Sequence, residues 1–224
     1  MGLPPHVHCE SRTSELAKDR KFDPSLRYRD DVKLDDVEVG SYDEEWTYVA
    51  CDEDRLCPHC DWLAPHVDCI VIAVDGACEG NGMTGARAAA GVFVGKTSQY
   101  NKSVLLAEPN ATNQVAELRA GILALRQVMD IRSQCFGEEQ LRMVVIKSDS
   151  EYLVKGMTER VFKWENNGYR TCKGTPVKNW ELFKKLDGLI RNLNELDVEV
   201  LFWHVPRSRN TEADELASRA LRSQ

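Results

Sequence analysis

From residue 69 onward the chain alternates short apolar runs with amphipathic stretches, whereas residues 1–68 show no sustained apolar period. The run "IVIAV" predicts a buried strand over 70–76 that delivers Asp75 at its end. "ARAAAGVFVG" (86–95) and "KSVLLAE" (102–108) predict two further strands. Their connections are too short for crossovers, so these first three strands are antiparallel. Over 113–130, Val115, Leu118, Ile122, Leu125 and Met129 recur at three- and four-residue spacings, a helical stripe with Thr112 as its N-cap. "RMVVIKS" (142–148) predicts a strand, and Leu153, Met157, Val161 and Trp164 mark a helix over 150–164. A helix over 178–194, a strand over 198–206 and a helix over 210–222 complete an α/β domain around a mixed sheet.

The preceding segment has a different composition. Residues 1–50 are rich in Asp, Arg, Ser and Pro and read as a flexible acidic extension, with one extended stretch at "EEWTYVAC". Residues 51–68 form a cysteine-rich cap, and 69–222 the α/β domain. The net charge of −7 argues superficially against a polyanionic partner, yet it is unevenly spread. Residues 1–68 carry 17 acidic against 8 basic side chains, and 69–224 carry 19 against 21. Within 160–185, Arg160, Lys163, Arg170, Lys173, Lys178, Lys184 and Lys185 face only Glu165 and Glu181, a strip able to hold phosphates. No apolar run approaches the ~18 residues of a membrane span, and "MGLPPHVHCE" lacks the features of a secretion signal. An intracellular protein of nucleus or cytoplasm, monomeric and without a membrane partner, is the expectation. Its eight cysteines would stay reduced there.

Four carboxylates stand where ligand sites of open α/β sheets form, at strand carboxyl ends and adjoining helix starts. Asp75 and Asp149 each follow an apolar strand, Glu117 lies one turn into the first long helix, and Asp214 sits in the first turn of the last. Each also has an ordinary reading. Asp75-Gly76 could make a hairpin turn, Asp149 could cap the helix after it, Glu117 could pair with a helix neighbour, and Asp214 completes a Thr-x-x-Asp capping box in "TEAD". Converged in one pocket, four such acids would repel unless cations neutralised them. Hard oxygen donors of this kind suit magnesium or manganese.

"VDGACEGNG", "TNQVAELRAGILAL", "IKSDSEYLVKGM", "NGYRTCKGTPVKNWELFKKL" and "VPRSRNTEADELA" resemble, in order, the motifs of the type 1 ribonuclease H family. The resemblance covers residues 69–222. It implies a five-stranded mixed sheet flanked by helices, and cleavage of the RNA strand of RNA–DNA hybrids. Asp75, Glu117, Asp149 and Asp214 fall on the family's catalytic tetrad. The implied chemistry is hydrolysis with two Mg2+ (or Mn2+) ions about 3.5–4 Å apart, leaving 5′-phosphate and 3′-hydroxyl ends. The same resemblance places Asn81, Asn113 and Gln114 against the nucleic acid through their amides, and the backbone from Gly76 to Cys78 against RNA sugars. Trp164, Asn179 and the lysines at 178, 184 and 185 would flank a DNA-side channel. Asn81 and Asn113 also suit a turn and a helix start, and Trp164 also suits a core.

Two features depart from the family. Many members place a His in the loop before the last Asp; here that loop is "RSRN", and His204 lies upstream in a predicted strand. Slower or differently gated turnover is expected, with Arg207 or Arg209 as charge stabilisers. The family's basic protrusion is also abbreviated, which implies modest, salt-sensitive hybrid affinity. In front of the domain, Cys51, Cys57, Cys60 and Cys69 are candidate ligands for a structural Zn2+, with His66, His8 and Cys9 as alternative donors. The alternative is a set of reduced cysteines packing a short cap. Two rival functions remain open on sequence: a catalytically silent binding module of the same fold, and an acidic arm carrying the main role.

Overall fold

The computed structural model describes residues 19–52, 63–108, 111–134 and 140–223. Among these residues seven strands form one mixed sheet: β1 (Glu38–Gly40), β2 (Thr47–Ala50), β3 (Pro65–Glu79), β4 (Arg87–Phe93), β5 (Lys102–Leu106), β6 (Met143–Ser148) and β7 (Glu199–His204). β3 to β7 are the five expected strands, and their boundaries lie close to those read from the apolar runs. β3 is the exception. It starts at Pro65 and continues past Asp75 to Glu79, because its two halves have different partners. Its first half pairs antiparallel with β2 and its second half with β4. On the opposite edge, residues 69–73 pair parallel with β6, which pairs parallel with β7.

The helices are α1 (Pro24–Arg27), α2 (Asn113–Ser133), α3 (Glu151–Lys155), α4 (Val161–Asn166), α5 (Trp180–Asn194) and α6 (Thr211–Arg222). A π-helical turn, Gly156–Arg160, joins α3 to α4 inside the single helix expected there. Gly156 is needed at that turn, since a Cβ would lie 2.2 Å from the ring of Phe183.

Strand periodicity divides the core in two. Ile70, Ile72, Val74, Val144, Ile146, Val200 and Phe202 face α2, α3 and α5 in the larger cluster. The alternate positions Val71, Val145, Leu201 and Trp203 face the other way. Near β4 that second face is covered by α6, through Ala220 and Leu221 against Ala89.

The rest of that face is covered by the N-terminal extension, which corrects the expectation of a flexible arm over 1–50. Residues 1–18 lie outside the described residues. From Arg20 to Phe22 the chain runs along the outer edge of β7, with Phe22 N–H donating to Phe202 O at 2.9 Å and Phe202 N–H to Arg20 O at 2.8 Å. It then crosses to the far edge as β1 and β2. Phe22, Tyr28, Val37 and Val49 cover Val71, Leu201 and Trp203 on the way. Both strand faces are apolar over β6 and β7, so a second cover is required; the acidic composition concealed it. Lys147, on that face, is buried and pairs with Glu38 at 2.6 Å, and Arg20 pairs with Asp187 at 2.7 Å.

Candidate active site

Two glycines bring the acids together. A Cβ on Gly76 would lie 2.2 Å from the backbone nitrogen of Glu117, and one on Gly91 would lie 2.2 Å from Ala213 O. Gly91 pairs across the sheet with Asp75. The first turns of α2 and α6 therefore reach the sheet backbone beside Asp75. No other residue type allows that approach, because any side chain would fill the space the helix backbone occupies.

Each ordinary reading of the four acids fails on the geometry. Asp75 is no turn residue, since β3 continues four residues beyond it and the hairpin loop begins at Gly80. Asp149 is not the cap of α3; Ser150 is, accepting from Leu153 N–H at 3.2 Å. Glu117 is only 7% exposed, so it is no surface pairing partner. Asp214 does not close a capping box, because Thr211 is already inside α6 and Asn210 precedes it. Thr112 does cap α2, accepting from Val115 N–H at 3.3 Å.

Asp75, Glu117 and Asp214 line one pocket of about 420 Å³ together with Gly76, Cys78 and Asn113. Asp149 adjoins it through its charge: burial first, then Asp149 and Asp214, push the Asp75 carboxyl up to about 7. Burial, then Asp75 and Asp149, push Glu117 up to about 9. Glu117 Oε2 is buried with no hydrogen-bond partner, while Oε1 accepts from Asn113 Nδ2 at 3.3 Å. An all-oxygen donor set with an orphaned buried carboxylate oxygen fits a hard divalent cation. The cation that does reach the acids is Arg207, paired with Asp214. Its loop folds as a short 3-10 turn, Arg207–Arg209, and carries no His; His204 ends β7, exposed.

Asn210 is the site residue that the motif spacing did not single out. It is fully buried, and its Nδ2 donates both to Asp149 Oδ1 at 2.8 Å and to Val74 O at 3.0 Å. It thereby fixes Asp149 relative to β3. The one sequence signal was an Asn directly before a helix, which reads equally well as a cap.

The expected substrate contacts fall into two groups. Asn81 Oδ1 accepts from Asn113 N–H at 3.0 Å, tying the β3–β4 loop to the start of α2 beside the pocket. Gln114 follows, with its Oε1 buried and unpartnered, and the half-buried Cys78 donates its thiol to Ala111 O at 3.3 Å. Asn179 belongs elsewhere. It has left-handed φ and donates to Tyr152 Oη at 3.2 Å, joining the start of α5 to α3. Trp164 packs edge-on against Phe183, ring centroids 4.9 Å apart, so packing is its main structural task. All seven basic residues of 160–185 are exposed.

Among the cysteines, Cys57 and Cys60 lie outside the described residues. Cys69 does not join Cys51. Its thiol turns to the Asp68 carboxylate at 3.2 Å, and burial pushes it well above its ordinary range. Among the described residues, the group that does form is Cys51, Asp52 and His66.

Fold and site together define a ribonuclease H-like α/β domain. The sequence model of the family described as "RNase H" matches residues 68–222, and the chain belongs to the ribonuclease H family. It is 33% identical over 184 residues to a ribonuclease H of Schizosaccharomyces pombe, covering 82% of this chain and 59% of that one. It is 34% identical over 152 residues to the ribonuclease H of Wolbachia pipientis wMel, covering 68% and 94%. Among solved structures, a foamy viral protease–reverse transcriptase in complex with double-stranded DNA superposes with a TM-score of 0.52. At 24% identity, over 67% of this chain and 92% of that one, it bears on the fold alone. Among the described residues, no helix is long and apolar enough to cross a membrane.

Proposed function

We propose that this protein is a monomeric type 1 ribonuclease H of the short-loop form, hydrolysing the RNA strand of RNA–DNA hybrids to 5′-phosphate and 3′-hydroxyl ends. The observation that carries this reading is the convergence of Asp75, Glu117 and Asp214 on one pocket built by two close-approach glycines, with Asp149 held beside it by Asn210. A pure binding module would have no use for so many acids in one place.

Asp75, Glu117, Asp149 and Asp214 would hold two Mg2+ or Mn2+ ions. When bound, such ions neutralise the phosphodiester and acidify a water for in-line attack. The protein's own groups set up that chemistry. Asn210 holds Asp149 in place, and Asn113 donates to Glu117 so that one oxygen is fixed and the other left open. Asn113 and Asn81 form a linked pair of amides at the pocket rim, able both to donate to and accept from sugar hydroxyls. Arg207 lies in the loop before Asp214, where many members of the family carry a His. Three-quarters exposed, it can turn from Asp214 to a phosphate oxygen. The exposed basic strip of 160–185 would carry the second strand's phosphates, with binding that weakens as salt rises.

The test compares labelled hybrid, single-stranded RNA, duplex RNA and duplex DNA, with magnesium and with chelator. Magnesium-dependent cleavage confined to the hybrid's RNA strand is expected. Equal cleavage of single-stranded RNA, or cleavage that survives the chelator, would reject the assignment.

A further inference from the structure

A second cluster of ligating side chains lies far along β3 from the carboxylates, and the reaction makes no use of it. Where β2 ends, Cys51 N–H donates to Ala64 O at 2.7 Å, continuing the ladder in which Ala50 pairs with Pro65 and Val49 with His66. Residues two apart on a strand share a face, so Cys51 and His66 fall on the same side of this pair, and Asp52 closes the corner. One ligand atom from each of the three residues lies within 4.8 Å of the other two.

The donors are shielded. Cys51 is 5% exposed, and the His66 and Asp52 side chains are 13% and 22% exposed. His66 Nε2 stands 3.7 Å from Asp52 Oδ1. That is too long for a hydrogen bond, but within the separation of about 3.3–3.8 Å between ligands of a tetrahedral zinc with bonds of about 2.0–2.3 Å. The donor types differ from those of the active site: thiolate, imidazole and carboxylate select a borderline-soft ion, whereas four carboxylates select a hard one.

We infer that Cys51, Asp52 and His66 supply three of the four ligands of a zinc site that fastens the N-terminal cover to the first strand of the nuclease domain. Its place explains what it would do. The cover meets β3 through the four-residue β2, with the three-residue β1 outside it, so a tie at the end of β2 would reinforce a short pairing. The ion would lock the end of β2 to the start of β3. Binding releases the thiol proton of Cys51, so occupancy falls as pH drops. Cys57 and Cys60 lie between Asp52 and Leu63 in the sequence, outside the described residues.

The experiment uses the full-length chain purified without chelator. Bound zinc is measured by elemental mass spectrometry, and the site is reloaded with Co2+ to read the near-ultraviolet thiolate-to-cobalt band. About one zinc per chain and a clear charge-transfer band are expected. Cys51→Ser and His66→Gln should each lose the band and most of the metal. His66→Cys should keep the metal and strengthen the band, because it adds a second thiolate. Asp75→Asn should change neither reading, which separates this site from the carboxylate pocket. Wild-type protein with neither zinc nor a cobalt band refutes the site, even if the variants fail to fold. So does undiminished metal in Cys51→Ser or His66→Gln.

Discussion

The carboxylate pocket and the N-terminal cover lie on one sheet and treat charge in opposite ways. In the pocket, four acids from β3, α2, the end of β6 and α6 are crowded together with Arg207 as their paired cation. In the cover, buried charges are matched: Arg20 with Asp187, and Lys147 with Glu38. Pairing a buried charge holds elements together, whereas leaving like charges crowded makes a site that awaits a cation. The comparison makes a sharp prediction. Removing a charge from the pocket should cost activity and not stability, and removing one from the cover should do the reverse.

The largest effect is expected at the centre of the pocket. Asp75→Asn should lower magnesium-dependent hybrid cleavage by about 10³-fold or more, while the metal-free protein melts at the same or a higher temperature. The variant keeps the side chain's shape and removes the charge that Asp149 and Asp214 oppose. Turnover within tenfold of the parent, or a lower melting temperature, would remove the basis for the site.

How much of this was legible beforehand differs between the two regions. The pocket was readable because each acid stands at a feature with a fixed period, the end of a strand run or the start of a helix stripe. The convergence point of an α/β sheet is set by topology. What the sequence did not display is how the acids are held. Asn210 reads as a cap, and the need for Gly76 and Gly91 comes from helix backbones distant in the chain. Only Val49 falls in the extended stretch expected at "EEWTYVAC"; the cover was misread because Phe22, Tyr28 and Val37 stand singly among charged residues and follow no period. They contact the sheet one at a time, so local patterning had no signal to offer. The hint lay in the other partner: β6 and β7 are apolar on both faces, while α6 covers the second face only near β4.

Two substitutions test the cover as packing and as charge. Trp203→Ala removes the ring that meets Phe22 at 5.4 Å and sits 4% exposed under the extension. It should lower unfolding free energy by about 3–5 kcal/mol, measured in urea, with the folded fraction still cleaving hybrid. A loss below 1 kcal/mol would mean that the extension does not pack on the sheet. Arg20→Ala is milder. It leaves Asp187 buried, but Arg191 still reaches that carboxylate at 3.0 Å. A loss of about 2 kcal/mol is expected, below the 3–5 typical when a buried charge loses its sole partner. Asp187→Asn in the Arg20→Ala background should recover part of it. If the double variant is no better than the single, the ion pair is not what binds the extension to α5.

The smallest effect is also the most specific to crowded charge. Burial and neighbouring acids hold Asp75 near 7 and Glu117 near 9, against ordinary values of 3.8 and 4.5. Below about pH 3 both groups are protonated in folded and unfolded chains alike, and they leave stability unchanged. As pH rises through 4 to 7 the unfolded chain releases these protons while the folded pocket keeps them. The native state then binds more protons, and its stability falls with rising pH. In magnesium-free buffer the melting temperature of the parent should therefore drop more steeply between pH 5 and 8 than that of Asp75→Asn, in which one of the two groups is gone and the other has lost a repelling neighbour. Added magnesium should flatten the parent's slope, since a cation binds the deprotonated pocket and its affinity grows with pH. Taking the difference between parent and variant cancels the half-buried Asp23 and the exposed Asp43, whose hydrogen bonds hold them below the ordinary range and give the opposite slope at lower pH. Identical slopes in the two proteins would mean that the acids are not crowded in solution, and the contrast between pocket and cover would fail at its strongest point.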